Sequence, residues 1–313
     1  MYGYVIRRLL ATIPVMGVVA VVVFLLLHLT PGDPATVIAG DYARPADIAR
    51  IRAKLGLDQP LHIQFLSWAG AVLQGDLGVS IFSNLPVSKL IAQRLEPTLA
   101  LCLSTMLFAV LLAVPMGVIA AWRAGTWIDR SIMVFAVVGF SVPVFVTGYV
   151  LMYIFSLSLG WFPVQGYQPI ADGFIPFLRS IALPTVALGV VYTALIARIS
   201  RASVLEVLSE DYIRTAKAKG LNNTALLIRH ALKNAAVPIV TIIGIGIALL
   251  IGGVVVTESV FNIPGLGRLT IDAVLRRDYP IIQGVILVFS GVYVFVNLFI
   301  DLLYTLLDPR IRY

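Results

Sequence analysis

The residues of this chain that could do chemistry are few and lie far apart. Ser141, in GFS at 139–141, could serve as a nucleophile only with a histidine beside it as base. The three histidines fall at His28, at the end of the first apolar run, His62, in the loop that follows, and His230, in a polar stretch, so only His28 is even near. Cys102 is the single cysteine and sits in an apolar run, which leaves neither a disulfide framework nor a cysteine metal site within one chain. No metal ligands and no catalytic residues are assigned. A phosphate-cradling G-x-x-x-x-G-K-[ST] loop is absent: GLGRLT at 265–270 is glycine-rich but lacks the lysine, and the adjoining NIP marks a turn.

Two acids come closest to membrane depth. Glu258 ends the fifth apolar run just before VFNIPGLG, and Asp301 stands seven residues before Asp308. Carboxylates at such depth are expensive and often mark a pathway, which makes Glu258 a candidate for the mouth of a pore. Ordinary capping at the membrane interface is the plainer alternative, and Asp301 is assigned no role. Ser141, with Pro143 two residues on, reads as a helix kink whose freed backbone groups need local partners; broken helices of this kind often line cavities. Ser141, Pro143, Glu258 and the turn residues Asn262, Pro264 and Gly265 are therefore the pore or outer-mouth candidates.

The elements that must position these residues follow from composition. The chain is 59% hydrophobic and 12% charged, against about 25% charged residues in soluble domains, and its mean hydropathy is +0.96. That balance describes an integral membrane protein, so 313 residues are best counted in crossings of ~20 residues each. Six spans are expected, at about 9–29, 97–122, 131–159, 181–199, 235–260 and 281–307, with Pro97 and Pro280 in first-turn positions where no backbone donor is needed. The first run is too long for the apolar core of a signal peptide and no small-x-small site directly follows it, so it is read as retained.

Charge sets the orientation. With both termini cytoplasmic, segments 1–8, 123–130, 198–234 and 308–313 hold 13 of the 23 Lys/Arg, including Arg7, Arg8, Arg310 and Arg312. The net charge of +7 is then an orientation signal; no basic stripe with interleaved aromatics accompanies it, which argues against nucleic acid as a partner. Asn222, in an N-x-T match, falls on the cytoplasmic side and is set aside as a glycosylation site. The external loop, 31–96, is too long for a simple connector. It carries Ile48, Ile51 and Leu55 at helical spacing, then Ile63, Phe65, Leu66, Trp68 and Leu73, which predicts an amphipathic subdomain partly at the interface.

Residues 200–234 form the largest cytoplasmic loop, which holds most of the polar stretch EDYIRTAKAKGLNNTALLIRHALKNAAVP at 210–238. Its helix cannot be a span, because Arg214, Lys217 and Lys219 would each cost roughly 2.5–3.5 kcal/mol near mid-bilayer. Tyr212, Ala216 and Gly220 recur at i, i+4 and i+8, one large ring and two small residues on a face that lets another backbone come close. Gly220 before LNN is also a good helix stop. Spacing alone leaves a solvated or membrane-surface helix open as the alternative.

DYIRTAKAKGL followed by IRHALKNAAVP resembles the cytoplasmic EAA loop of ABC importer permeases, in the form seen in the dipeptide, oligopeptide and nickel branch. LTPGDPA at 29–35, KLGLDQPLHIQF at 54–65, GDLGVS at 75–80, SVPVF at 141–145, VFNIPGLGRL at 260–269 and RRDYP at 276–280 support the same branch in order along nearly the whole chain, and the N-terminal elements match its B-type subunit. The glutamate of the general EAA pattern is replaced by Arg214, followed by Thr215 and Ala216; the peptide branch commonly shows this RTA start.

The resemblance implies an all-α type I ABC importer permease with six transmembrane helices in a bacterial inner membrane, divided as a first helix at 1–30, an external subdomain at 31–96 and a five-helix core at 97–313. It implies that Asp211, Tyr212, Arg214, Thr215, Ala216, Lys217 and Gly220 meet a cytoplasmic ATPase, and that the outer face receives an extracytoplasmic substrate-binding protein; Asp278, a further outer-mouth candidate, helps shape that face with Tyr279 and Pro280, and a purely structural lid on the bundle is the alternative. A second homologous permease and one or two ABC ATPases, which use the ATP and Mg, are the implied partners besides the lipid bilayer; the chain itself binds no cofactor. A proton- or ion-coupled secondary transporter is the alternative. It would call for internal repeats and ionisable residues at matching intramembrane positions, and neither is seen.

Overall fold

The computed structural model describes residues 2–29, 35–36, 44–54 and 56–307; residues 30–34 of LTPGDPA, Leu55, and the terminal stretch 308–313 with Asp308, Arg310 and Arg312 lie outside them. Among the described residues the chain is helical with no strand, the nearest thing to one being an isolated bridge between Val79 and Pro86.

Among the described residues five helices are long and apolar enough to cross a membrane: Tyr2–Leu29, Val87–Trp122, Phe174–Leu208, Ala236–Val260 and Tyr279–Leu307. The third expected span is two helices. Trp127–Ser141 stops at Val142, and Val144–Leu151 runs on as a π-helix over Met152–Ser158, with a bend of 101° between the arms. The prolyl ring of Pro143 pushes Val142 into extended backbone (ψ 124°), which a helix cannot continue through. At 1.5 Å per residue the α-helical arm Trp127–Ser141 is about 22 Å long, short of the ~30 Å hydrocarbon core, so a count of six crossings requires the bent pair to act as one.

Pro97 does not begin a helix. The second span starts at Val87 and carries Pro97 and Pro115 inside it. Hydropathy misses the first turns because VSKLIAQRLE is amphipathic: Val87, Leu90 and Ile91 are buried, while Ser88, Lys89 and Gln93 are exposed. Pro280 does lie in the first turn of Tyr279–Leu307, where it forgoes no helical hydrogen bond. Helix Phe174–Leu208 outruns its apolar window at both ends, since a window for bilayer residues is blind to helix that continues into water.

The chain divides into two compact units. The first comprises residues 1–95 and 268–295. In it, helix Leu61–Leu73 lies against the first span through Phe65 and Trp68, whose ring centroids are 5.4 and 5.7 Å from Phe24. The Gln283 amide donates to the Val23 carbonyl (3.2 Å). A Cβ on Gly284 would come 2.7 Å from Val87 Cγ1, so the absence of a side chain there lets two helices touch.

The second unit comprises residues 96–267 and 296–313. Its axis is helix Phe174–Leu208, whose most apolar window is 72% buried, against 28% for those of Val87–Trp122 and Ala236–Val260. Leu101, Leu188, Ile196, Leu250 and Val254 fill the core around it. Small residues allow the close crossings: Gly189 sits under Phe108, and Gly139 faces Val190. A smaller apolar cluster of Ala121, Val204, Ala231, Ala235 and Ile239 closes one end.

Candidate functional site

After Leu208 the chain turns through Ser209 and Glu210 and forms the short helix Asp211–Ala218. Asp211 in its first turn and Lys217 in its last suit the helix dipole. Ile213 is its one buried residue, and it anchors the helix. The Asn234 amide donates both to the Tyr212 hydroxyl (2.9 Å) and to the His230 carbonyl (2.7 Å), tying the helix to the segment that leads into Ala236–Val260. Partial burial, with the Glu210 charge adding to it, raises the Tyr212 hydroxyl above the ordinary phenol range, while the Asn234 hydrogen bond pulls the other way. Arg214 reaches Asp211 at 3.3 Å, both exposed, a pair of little energetic weight. Thr215 bonds back to the Asp211 carbonyl.

Gly220 is the helix stop, with φ +84° and its N–H donated to the Lys217 carbonyl (3.0 Å). It is not the third member of the expected face, because the helix ends at Ala218. A Cβ there would meet nothing within 4 Å, so the position needs glycine for its backbone conformation and not for close approach. The exposed side of the helix is polar, with Asp211, Arg214, Thr215 and Lys217 beside half-buried Ala216. The anchors Ile213 and Asn234 were missed by motif reading, although Ile213 is the only aliphatic residue larger than alanine in DYIRTAKA.

At the other end of helix Ala236–Val260, Glu258 is fully buried. Thr98 donates its hydroxyl to Glu258 Oε1 (2.5 Å) and accepts the Leu266 N–H (2.8 Å), so one hydroxyl joins the carboxylate to the start of the next helix. The turn between them holds Asn262, with φ +55°, Pro264 and Gly265. A Cβ on Gly265 would overlap the Glu258 carboxylate, and one on Gly267 would come 3.0 Å from its Oε2. Here glycine is required by the space the carboxylate occupies. Loop 159–173 is strapped to this end: Gly166 N–H and the Gln165 amide donate to the Phe261 and Val260 carbonyls (2.9 and 3.2 Å), and Tyr167 donates to Glu96 (3.1 Å). Glu258, Asn262, Pro264 and Gly265 thus form one construction, on which Gly148 of the bent pair also packs through Val260 and Phe261.

Ser141 donates to the Val137 carbonyl of its own helix (2.7 Å), an ordinary bond to the preceding turn. With Phe140, Ala194 and Arg198 it lines a cavity of about 200 Å³. Asp278 belongs to the first unit. Buried, it accepts from the Ser80 hydroxyl (2.6 Å) and the Ile81 N–H (3.3 Å), and it borders a cavity of about 230 Å³ with Arg94, Asp272 and Arg276.

The family model described as "Binding-protein-dependent transport system inner membrane component" matches residues 113–313, and the N-terminal model of the same systems matches residues 1–102. A "Probable peptide ABC transporter permease protein y4tP" of Sinorhizobium fredii (strain NBRC 101917 / NGR234) is 56% identical over 99% of both chains. The "Glutathione transport system permease protein GsiC" of Salmonella choleraesuis (strain SC-B67) is 48% identical, and that of Escherichia coli (strain K12) 46%, each over the full length of both chains. Among solved structures, an inward-facing MetNI methionine ABC transporter matches with a TM-score of 0.58 at 18% identity, covering 70% of this chain and 96% of that one, a likeness of fold. With two family models that together match all but residues 103–112 and relatives near half identical throughout, the chain belongs to the inner-membrane components of binding-protein-dependent transport systems, as a multi-pass permease subunit of an ABC importer.

Proposed function

We propose that this subunit forms half of a translocation pore for short peptides or related small solutes, and that segment 211–220 is the handle by which a cytoplasmic ATPase moves it. The observation that carries the reading is the Asp211–Ala218 helix itself: a water-compatible helix held by Ile213 and Tyr212 at the foot of the unit's central helix, with Asp211, Arg214, Thr215 and Lys217 turned outward. A short helix seated in a partner's groove passes on rigid-body motion when the groove closes. Both termini lie in the cytoplasm on this reading, with the bent pair crossing as one. ATP and Mg belong to one or two ATPase partners. A second homologous permease completes the pore, and an extracytoplasmic binding protein delivers substrate at the end that holds Glu258, Asn262, Pro264 and Gly265. Ser141 and Pro143 shape the pathway, and Asp278 shapes the receiving face. The substrate class is supported by relatives named for peptide and glutathione transport, both peptidic.

Ala216→Arg in the complete transporter tests the handle. The variant is expected to reach the membrane in normal amount yet lose copurifying ATPase and uptake of radiolabelled glutathione or trialanine. Full retention of both would refute the assignment.

A further inference from the structure

Arg201 lies in the last turns of helix Phe174–Leu208, two turns above the Leu208 end from which the Asp211–Ala218 helix hangs. Its guanidinium makes a two-pronged bond to Asp129, Nε to Oδ1 at 2.5 Å and Nη2 to Oδ2 at 2.7 Å. The Asp129 side chain is only 5% exposed, and its Oδ2 also accepts the Gly125 N–H (2.9 Å), which closes the turn between helices Val87–Trp122 and Trp127–Ser141. On another side, Gly117 brings the backbone of Val87–Trp122 against the same turn of Phe174–Leu208: a Cβ there would come 2.5 Å from Ser200 Cβ, 2.8 Å from the Ala197 carbonyl and 2.9 Å from the Arg201 nitrogen. One turn below, Val204 is fully buried among Ala121, Ala231, Ala235 and Ile239.

We propose that Asp129 and Arg201, with Gly117 at their back, are positioning residues for coupling: they clamp the foot of Phe174–Leu208 to its neighbours, so that displacement of the 211–218 helix moves helices Val87–Trp122, Trp127–Ser141 and Ala236–Val260 as one block. The inference rests on the handle reading above and adds the part that carries motion from the handle into the spans. The pair is part-buried, with the Arg201 side chain 25% exposed, so desolvation offsets much of the attraction and it adds little stability; its role here is to fix one geometry. The planar guanidinium fork holds both rotation and height of the helix, which a lysine's single point charge would not. A handle on a helix free to slide or rotate would be displaced without moving the pore.

The complete transporter, with its ATPases and binding protein in proteoliposomes, is the system for the test, carrying Asp129→Asn, Arg201→Lys or both. Each variant should keep its ATPases on purification, and the ATP hydrolysed per radiolabelled glutathione or trialanine taken up should rise roughly fivefold or more. The double variant should be no worse than the worse single one, as for two residues acting as a unit. Arg201→Lys preserves the charge, so it supplies the reading should Asp129→Asn fail to insert. A wild-type ratio in Arg201→Lys, independent additive effects, or loss of the ATPases from these variants would overturn the clamp. Ala216→Arg run alongside separates the two ideas: if it retains ATPases and uptake the handle fails, whereas its expected loss beside a wild-type Arg201→Lys leaves the handle standing and removes only the clamp.

Discussion

The Thr98 hydroxyl shows how much can hang on a single side chain in this protein. It donates to a carboxylate with no exposure and accepts the first N–H of the following helix, so Thr98→Val removes a donor and an acceptor together. The loss should be about 1–3 kcal/mol, read as a lower melting temperature of the solubilised permease, whereas Glu258→Gln, which keeps the shape, should fall between the two proteins. Glycines in the same region separate by the space around them. Gly265→Ala should destabilise by about 1–3 kcal/mol because its Cβ overlaps Glu258, while Gly252→Ala, with nothing within 4 Å, should be neutral or slightly stabilising. Equal melting temperatures for the two alanine variants would show that the carboxylate does not occupy the place described. Partnerships of this kind were out of reach of sequence reading. Thr98 and Glu258 are 160 residues apart, Ser80 and Asp278 198, and Asp129 and Arg201 72, and no local spacing rule pairs residues over such distances.

At the scale of elements, the Asp211–Ala218 helix depends on how it is anchored and how it ends. Ile213→Ala should loosen its seat and lower the ATPase recovered with the complex, with membrane insertion unchanged. At Gly220 the requirement is a left-handed backbone with open space around it, so alanine should cost about 1 kcal/mol and asparagine less, with uptake falling in that order. An asparagine variant more damaged than the alanine one would mean that the side chain collides with something, a partner included. Elements were legible where one physical signal dominated. Long apolar runs announced the straight spans, the polar loop announced a helix that could not cross, and Gly220 announced its end. The signal failed where two effects overlap. Pro97 stands at the start of an apolar run and looked like a helix start, yet the amphipathic turns from Val87 hold the helix together ahead of it. Pro143 announced a kink, but its 101° depends on the packing of both arms, which no proline rule contains.

For the whole molecule, family membership and a long-range clamp describe a passive body that a separate motor drives. The chain reconstituted alone, under a proton or sodium gradient and without ATPases, should accumulate neither glutathione nor trialanine; gradient-driven uptake would instead mark a carrier. The most direct test asks where the handle lies and what covers it. In a Cys102→Ser background, Lys217→Cys should react with a membrane-impermeant maleimide in inverted vesicles, remain silent in right-side-out vesicles, and become protected when the ATPases are bound. Labelling from the outside, or labelling in inverted vesicles that is equal with and without the ATPases, would contradict the account.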